Sequence, residues 1–187
     1  SPRSVILTAA AQGQVLVVIP TINRARLMAA SLREHGLSVA VMPQDWAIAA
    51  GGVDVVIGAR SAIWSSVPLL KSIFVIDEHD DALQEERSPS WHARDIAIHR
   101  AETLGIACVL VSPVPSLRAL HGVAGVVASL DPNTEASHWP QIRVVDRRLD
   151  ERWSSSMLSS ELIEQLRDHS RRIVCVLNVK GRARLLA

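Results

Sequence analysis

The chain has 187 residues, of which 48% are apolar, and its formal net charge at neutral pH is +1. This length suits one domain or one and a fraction, and the apolar share is enough for a sizeable core. The near balance of charge excludes a strongly basic nucleic-acid module, so any contact with DNA must come from local patches.

Short apolar runs alternate with helical patterns along the first part of the chain. Helical spacing predicts one helix that ends at Gly36 and another over His92–Leu104 that ends at Gly105. The runs rich in β-branched residues predict five strands, namely Val15–Ile19, Ser38–Met42, Val53–Ile57, Ile73–Ile76 and Ile106–Val111. This alternation predicts an α/β fold with a parallel sheet that is covered by helices on both faces.

The rest of the chain is less regular. The region from about residue 123 to 153 predicts a variable excursion with one short strand at Ile142–Val145. Ser160 is then a suitable N-cap for a helix through about His169, and Ile173–Leu177 predicts a last strand. This helix and strand indicate the beginning of a second α/β unit. We therefore expect three parts, at residues 1–125, 126–155 and 156–187.

The two cysteines, Cys108 and Cys175, each lie within an apolar run, which predicts buried strand residues in a reducing compartment. Neither has a second cysteine at short spacing, so we expect no disulfide and no metal pair. The apolar runs are too short to cross a bilayer and no leader opens the chain, which favours a cytoplasmic location. Because the first residue is Ser1 and not Met, we expect a piece of a longer protein.

The most informative stretch is the predicted strand Ile73–Ile76, which is followed by Asp77, Glu78, His79 and Asp80. In an open α/β sheet, ligands bind beyond the carboxyl ends of the strands, so this acidic pair predicts the rim of a site. One carboxylate suits a hydrated Mg²⁺ ion, and the other suits a water that attacks a phosphoryl group. The alternative is a strand that simply ends in a solvated loop.

Five motifs, in order and spacing, resemble the PriA family of replication-restart DNA helicases in superfamily two. The family patterns are G-T-R-S-A, D-E-E-H-D, an aromatic residue before H-A-R-D, G-S-A-T-P-S-L and L-N-R-R-G. In this chain they read Gly58-Ala59-Arg60-Ser61-Ala62, Asp77-Glu78-His79-Asp80, Trp91-His92-Ala93-Arg94-Asp95, Val111-Ser112-Pro113-Val114-Pro115-Ser116-Leu117 and Leu177-Asn178-Val179-Lys180-Gly181. The His-Ala-Arg-Asp motif is the specific one, since many ATPases share an acidic box.

The resemblance implies a RecA-like, P-loop NTPase-type fold whose two lobes hold ATP and Mg²⁺ between them. This chain would contain most of the first lobe and the beginning of the second. By resemblance, Asp77 is the carboxylate that holds Mg²⁺ through water, and Glu78 is the catalytic residue that polarises water. With a one-residue gap, His79 matches the box histidine that couples the nucleotide to the second lobe. Without the gap, Asp80 takes that position.

Further residues are assigned by the same resemblance. Ser112 falls in the motif that links hydrolysis to DNA movement. Arg60 and Ser61 lie in a loop that suits DNA phosphates, through a guanidinium fork and a hydroxyl, although Arg60 is equally compatible with an ordinary surface arginine. Lys180 retains one of the two basic residues that open the second lobe, and we expect it to contact DNA.

Several family motifs are altered in this chain. No G-x-x-x-x-G-K-[ST] phosphate loop occurs, and its expected place is just before residues 3 to 12, so it has been trimmed or has degenerated. Pro113 and Pro115 stiffen the motif around Ser112 and remove backbone donors. The family's V-P-E reads Ile-Pro-Thr at residues 19–21, which loses a carboxylate. The family's zinc-binding cysteines follow the last residue here, so we expect no zinc site in this chain.

The resemblance implies that the chain is part of a PriA-like helicase that binds forked or single-stranded DNA at stalled forks. It would couple ATP hydrolysis to 3′–5′ unwinding and to primosome assembly with other primosome proteins. The alternative is an ATPase-deficient DNA-binding scaffold for primosome loading. A third hypothesis, a small-molecule α/β enzyme, is disfavoured by the ordered motifs, and neither a G-x-S-x-G elbow nor a G-x-G-x-x-G fingerprint occurs.

Three further features each have two interpretations. His92 and His99 favour a packed or solvated helix face over a metal site, which would need closer partners. Trp64 and Trp91 suit either base stacking or ordinary packing. A basic cluster predicts either a solvated face or a phosphate-tracking strip, and it comprises Arg171, Arg172, Lys180, Arg182 and Arg184.

Overall fold

The computed structural model describes residues 2–122, 125, 131–146, 158–170 and 172–176. The chain divides into two compact units, residues 1–127 and 128–187, which are described separately below. Within the described ranges, no helix has the length and apolar character needed to cross a membrane.

Parallel strands form the centre of the first unit. In chain order they are β1 (Gln14–Val18), β2 (Val39–Val41), β3 (Val55–Gly58), β4 (Leu70–Ile76) and β7 (Ala107–Val111). Strands β5 (Gln84–Glu85) and β6 (Trp91–His92) form a separate short hairpin between β4 and β7. Their order across the sheet is β2-β3-β1-β4-β7, and every neighbouring pair is parallel. The carboxyl ends of β1, β4 and β7 therefore lie side by side along one edge of the sheet, which is called its carboxyl edge below.

Helices cover both faces of this sheet. They are α1 (Pro2–Ala10), α2 (Ile22–Glu34), α3 (Trp46–Gly51), α4 (Ala93–Leu104) and α5 (Leu117–Gly122), with short 3₁₀ turns at Arg60–Trp64 and Asp81–Leu83. On one face, Leu16 and Ile73 belong to a buried cluster with the alanines of α4. On the other, Phe74 belongs to a cluster with Ile6 of α1 and Leu32 of α2. Both faces are apolar because alternate side chains of a strand point to opposite faces.

The predicted fold class is confirmed: the first unit is an α/β parallel sheet of RecA-like type with helices on both faces. All five strands predicted in this unit are present, although β4 begins earlier, at Leu70. Helix α4 also matches the prediction. Its N-cap is His92, and it ends at Gly105, whose φ of +64° lies in the left-handed region that glycine adopts without strain.

In the second unit, the described residues contain helices α6 (Pro132–His138) and α7 (Ser160–Leu166). The N-cap of α7 is Ser159, whose hydroxyl accepts a hydrogen bond from the Leu162 amide at 3.1 Å. The prediction of a cap at Ser160 was therefore wrong, because the preceding serine caps equally well. The predicted end at His169 was wrong as well, since the helix ends at Leu166.

The two strands predicted in this unit are absent from its described residues. Neither Ile142–Val145 nor residues 173–176 form a strand, while Leu177 lies outside the described residues. Val174 and Val176 are 86% and 88% exposed, and Cys175 is exposed as well, so the prediction that it is a buried strand residue was wrong. A strand needs a neighbour for its backbone hydrogen bonds, and the described part of this unit offers none.

Cys108 does lie in a strand, β7, but it is half-buried because β7 is the outer strand of the sheet. Burial, with a smaller contribution from Glu102, raises the pKa of its thiol to about 12. The thiol is therefore protonated at neutral pH and behaves as a packing group.

Gly58, at the end of β3, is closely surrounded by neighbouring side chains. A Cβ atom at Gly58 would lie 2.8 Å from Ala62 Cβ and 2.9 Å from Met42 Cβ. We expect Gly58→Ala to lower the free energy of unfolding by about 1–3 kcal/mol, as overpacking does, in urea titrations.

The matched control is Gly51→Ala, because a Cβ atom at Gly51 of α3 would meet nothing within 4 Å beyond its chain neighbours and the backbone of its own helix. Removing a helical glycine there should raise stability by about 0.5–1 kcal/mol. Equal stability of the two variants would show that Gly58 is not sterically constrained.

Candidate functional site

The acidic pair lies where β4 and β7 end. The Glu78 amide donates to the carbonyl of Val111, the last residue of β7, at 3.3 Å. Asp77, the first residue after β4, has a φ of +50°, a left-handed conformation that aspartate and asparagine adopt more readily than most residues. The strand ends therefore place both carboxylates at the edge where open α/β sheets bind ligands.

Asp77 forms an ion pair with Arg24, which lies in the first turn of α2. The Asp77 side chain is 19% exposed and that of Arg24 is half-exposed. Helix α2 begins directly after β1, and the hydroxyl of its N-cap, Thr21, accepts a hydrogen bond from the Arg24 amide at 3.4 Å. The capping of α2 thus brings a guanidinium group to the end of β4.

Glu78 is almost fully buried, and both of its carboxylate oxygens are engaged. Oε1 accepts from the Ser116 amide at 2.6 Å. Oε2 accepts from the Ser116 hydroxyl and from Arg94 Nη1, each at 2.9 Å. Burial by itself raises the pKa of Glu78, but the Ser116 amide, Arg94 and the Ser116 hydroxyl outweigh it, so the pKa of this carboxyl lies below its ordinary value. The group is ionised at neutral pH.

Arg94 is buried as well, and it is held in place by its neighbours in the His-Ala-Arg-Asp motif. Its amide donates to Nδ1 of His92, the N-cap of α4, at 3.1 Å. Its Nε donates to Asp95 Oδ1 at 3.1 Å, and Asp95 in turn pairs with the exposed Arg118 of α5. The His-Ala-Arg-Asp motif therefore joins α4 to both the end of β4 and the segment after β7.

His79 and Asp80 have different partners. Nδ1 of His79 lies 2.6 Å from the Ser112 hydroxyl, which also accepts from the Val114 amide at 3.0 Å. Asp80 instead caps the 3₁₀ turn after it by accepting from the Ala82 amide at 2.9 Å. The structure therefore joins His79 to Ser112, while the assignment of the family's box histidine to His79 or Asp80 stays a prediction.

Arg60 contacts the segment that follows the acidic box. Its guanidinium donates to the carbonyl oxygens of Ala82 and Gln84 and forms an ion pair with Glu85 at 2.9 Å. Ser61, in the same 3₁₀ turn, is exposed. Arg60 thus ties the end of β3 to β5, and the predicted contact of Arg60 and Ser61 with DNA stays a prediction.

The remaining candidates are placed as follows. The rings of Trp64 and Trp91 meet edge to face, with centroids 5.5 Å apart, and Trp64 is 59% exposed. His92 caps α4, and His99 is exposed on the same helix. Lys180, like Arg171, Arg182 and Arg184 of the predicted basic cluster, lies outside the described residues.

The donor set at this edge does not fit Mg²⁺ as it stands. Magnesium needs free carboxylate oxygens. Oδ2 of Asp77 is paired with Arg24, and the buried Glu78 carboxylate receives three hydrogen bonds. Among the described residues, no group of three or more histidine, cysteine, aspartate or glutamate side chains is placed to hold a metal ion.

Sequence reasoning missed the partners of the acidic pair, which are Arg24, Arg94 and Ser116. A signal for Arg94 was present in the helical spacing. Ala93, Ala97 and Ala101 form the buried face of α4, and Arg94 is buried with them. A buried arginine needs a carboxylate partner, and the neighbouring acidic box supplies one.

A parallel sheet of this topology, with an acidic pair at its carboxyl edge, gives the first unit a RecA-like α/β fold. Its sequence relatives agree. The chain is 32% identical to the replication restart protein PriA of Bacillus subtilis over 81% of its length. It is 30% identical to the PriA proteins of Rickettsia conorii over 72%, and of Haemophilus influenzae over 71%.

The chain belongs to the PriA family, as a divergent member or a fragment of one. It spans about a fifth of the length of these relatives, namely 20%, 22% and 19%. No protein-family model matches it.

The buried ion pair should dominate the stability of this edge. We expect Arg94→Ala to lower the free energy of unfolding by about 3–5 kcal/mol, because it leaves the Glu78 carboxylate buried without its cation. Arg118→Ala is the control: its side chain is 75% exposed, and the loss should stay below about 1 kcal/mol. Losses of equal size in urea titrations would contradict the buried network.

His92 should make stability depend on pH. Burial first, and then the charge of Arg94, lowers the pKa of His92 from its ordinary 6.5. The unfolded chain therefore binds the proton more readily, so stability falls as pH drops below about 6.5. His92→Asn keeps a capping acceptor that does not titrate, and it should reduce the loss of stability between about pH 7 and 5.

The control for His92 is His99→Asn, which removes an exposed imidazole from the same helix. Glu78 titrates outside this window, since its pKa is lowered from 4.5. If the His92→Asn and wild-type chains lost stability equally between those pH values, the account of His92 would be wrong.

Proposed function

We propose that this chain acts in replication restart, as the RecA-like part of a protein that binds forked or single-stranded DNA and engages other primosome proteins. The relation to proteins named replication restart protein PriA supports this role. In this proposal residues 1–125 are the first RecA-like lobe, residues 126–155 a variable linker, and residues 156–187 the beginning of a second lobe.

We propose further that the chain is a scaffold with little or no ATP hydrolysis. The state of Glu78 carries this proposal, because both oxygens of the carboxylate accept hydrogen bonds inside the protein. A residue that polarises an attacking water needs a free acceptor within hydrogen-bond reach of it. The Glu78 side chain is 1% exposed, so Ser116 or Arg94 would have to move before a water could reach it, and movement of Arg94 would leave a buried charge unpaired.

The sequence supports the same proposal independently. Thr21 stands where the family pattern V-P-E has a carboxylate. Pro113 and Pro115 occupy the segment that connects Ser112 to Ser116. Both prolines stiffen this segment and lack a backbone N–H donor.

The second candidate is the ATP-driven 3′–5′ motor of the family. The contact between His79 and Ser112 favours it, since it links the acidic box to the motif that the resemblance assigns to DNA movement. In that case Asp77 and Glu78 would act on Mg²⁺-bound ATP, with the phosphate loop in a preceding segment of the natural protein.

DNA binding and hydrolysis can be measured together on the natural protein, including any segment that precedes residue 1. With ATP, Mg²⁺ and forked DNA, we expect phosphate release no faster than from Glu78→Gln. Fluorescence anisotropy should show binding to the fork that weakens steeply with salt, as phosphate contacts do. Steady hydrolysis that Glu78→Gln abolishes would establish the motor, and absence of fork binding at low salt would contradict both candidates.

Arg60→Ala identifies the contribution of the loop after β3 to this binding. It should weaken the fork complex, either by losing a phosphate contact or by releasing the segment that holds Glu85. Arg26→Ala is the matched control, because Arg26 is exposed on α2. Equal affinities of the two variants would remove Arg60 from the proposed DNA-binding surface.

A further inference from the structure

Each carboxylate of the acidic pair has its own arginine. Arg94 pairs with Glu78, and Arg24 pairs with Asp77. Each of these two carboxylates therefore has a guanidinium partner, and Arg94 also pairs with Asp95, which Arg118 contacts in turn. The two pairs come from different elements: Arg94 lies in the first turn of α4, and Arg24 lies in the first turn of α2.

The Arg24 pair is the more accessible of the two. The Arg24 side chain is 50% exposed, whereas that of Arg94 is 6% exposed. Asp77 is held in place from the backbone side, since its carbonyl accepts from the Asp80 amide at 2.9 Å. The left-handed backbone at Asp77 fixes the direction of this turn. The Asp77 side chain is 19% exposed, and the guanidinium of Arg24 contacts its Oδ2 atom.

We propose that Arg24 is a built-in counter-ion of Asp77, which takes the place that a divalent cation would occupy at this carboxylate. An ion that bound Oδ2 of Asp77 would have to displace the guanidinium and lose part of its own hydration shell. Glu78 cannot compensate, because its oxygens are already bound by Ser116 and Arg94. The edge is therefore neutralised without metal. This inference rests on the charges at the edge alone, so it stands or falls separately from the role in replication restart.

The test uses Mn²⁺ as the probe, followed by electron paramagnetic resonance of the free ion. We expect the wild-type chain and Asp77→Asn to bind Mn²⁺ equally, because Asp77 is not a ligand. Asparagine is the appropriate replacement, since it tolerates the left-handed backbone and removes only the charge. Binding by the wild-type chain that is about tenfold or more tighter than by Asp77→Asn would overturn the proposal.

Thermal unfolding provides the second measurement, which does not depend on metal. Arg24→Gln and Asp77→Asn should each lower Tm by about 2 °C, and the double variant should lose little more than either, because the two changes remove one interaction. Arg26→Gln, on the exposed side of the same helix, should leave Tm unchanged. Additive losses in the double variant would show that Arg24 and Asp77 do not act as a pair and would also overturn the proposal.

Discussion

The buried ion pair between Glu78 and Arg94 is the interaction on which this edge of the sheet depends. Their side chains are 1% and 6% exposed, so neither charge is stable there without the other. Ser116 completes the network through its amide and hydroxyl. Three segments meet at these atoms: the turn after β4, the first turn of α4, and the segment that leads from β7 into α5.

The hydrogen bonds around Glu78 limit what this carboxylate can do chemically. In the state that the structure shows, the Glu78 carboxylate holds three segments together and is only 1% exposed, so it is closed to bulk water. The segment after β7 is tied to the acidic box a second time, through His79 and Ser112. Movement of that segment would therefore alter the surroundings of Glu78 directly, and a partner that binds there would act on the acidic edge over a short distance.

Much of the first unit could be predicted from the sequence, because apolar runs such as Ile73–Ile76 specify buried parallel strands and Gly105 specifies a helix end. The position of Asp77 and Glu78 at the sheet edge followed from the same pattern. The arginine partners could not be found in this way, since an ion pair between Arg24 and Asp77 depends on tertiary structure and not on local spacing. The strand predicted at Ile142–Val145 failed because an apolar run forms a strand only beside a partner.

The most direct test of the central claim is ¹³C NMR of the Glu78 side-chain carboxyl, assigned with Glu78→Gln and titrated with pH and with Mg²⁺-ATP. The account predicts a pKa below the ordinary 4.5 and a resonance that does not move when Mg²⁺-ATP is added. A carboxyl that titrates at or above 4.5, or whose resonance shifts with Mg²⁺-ATP, would contradict it.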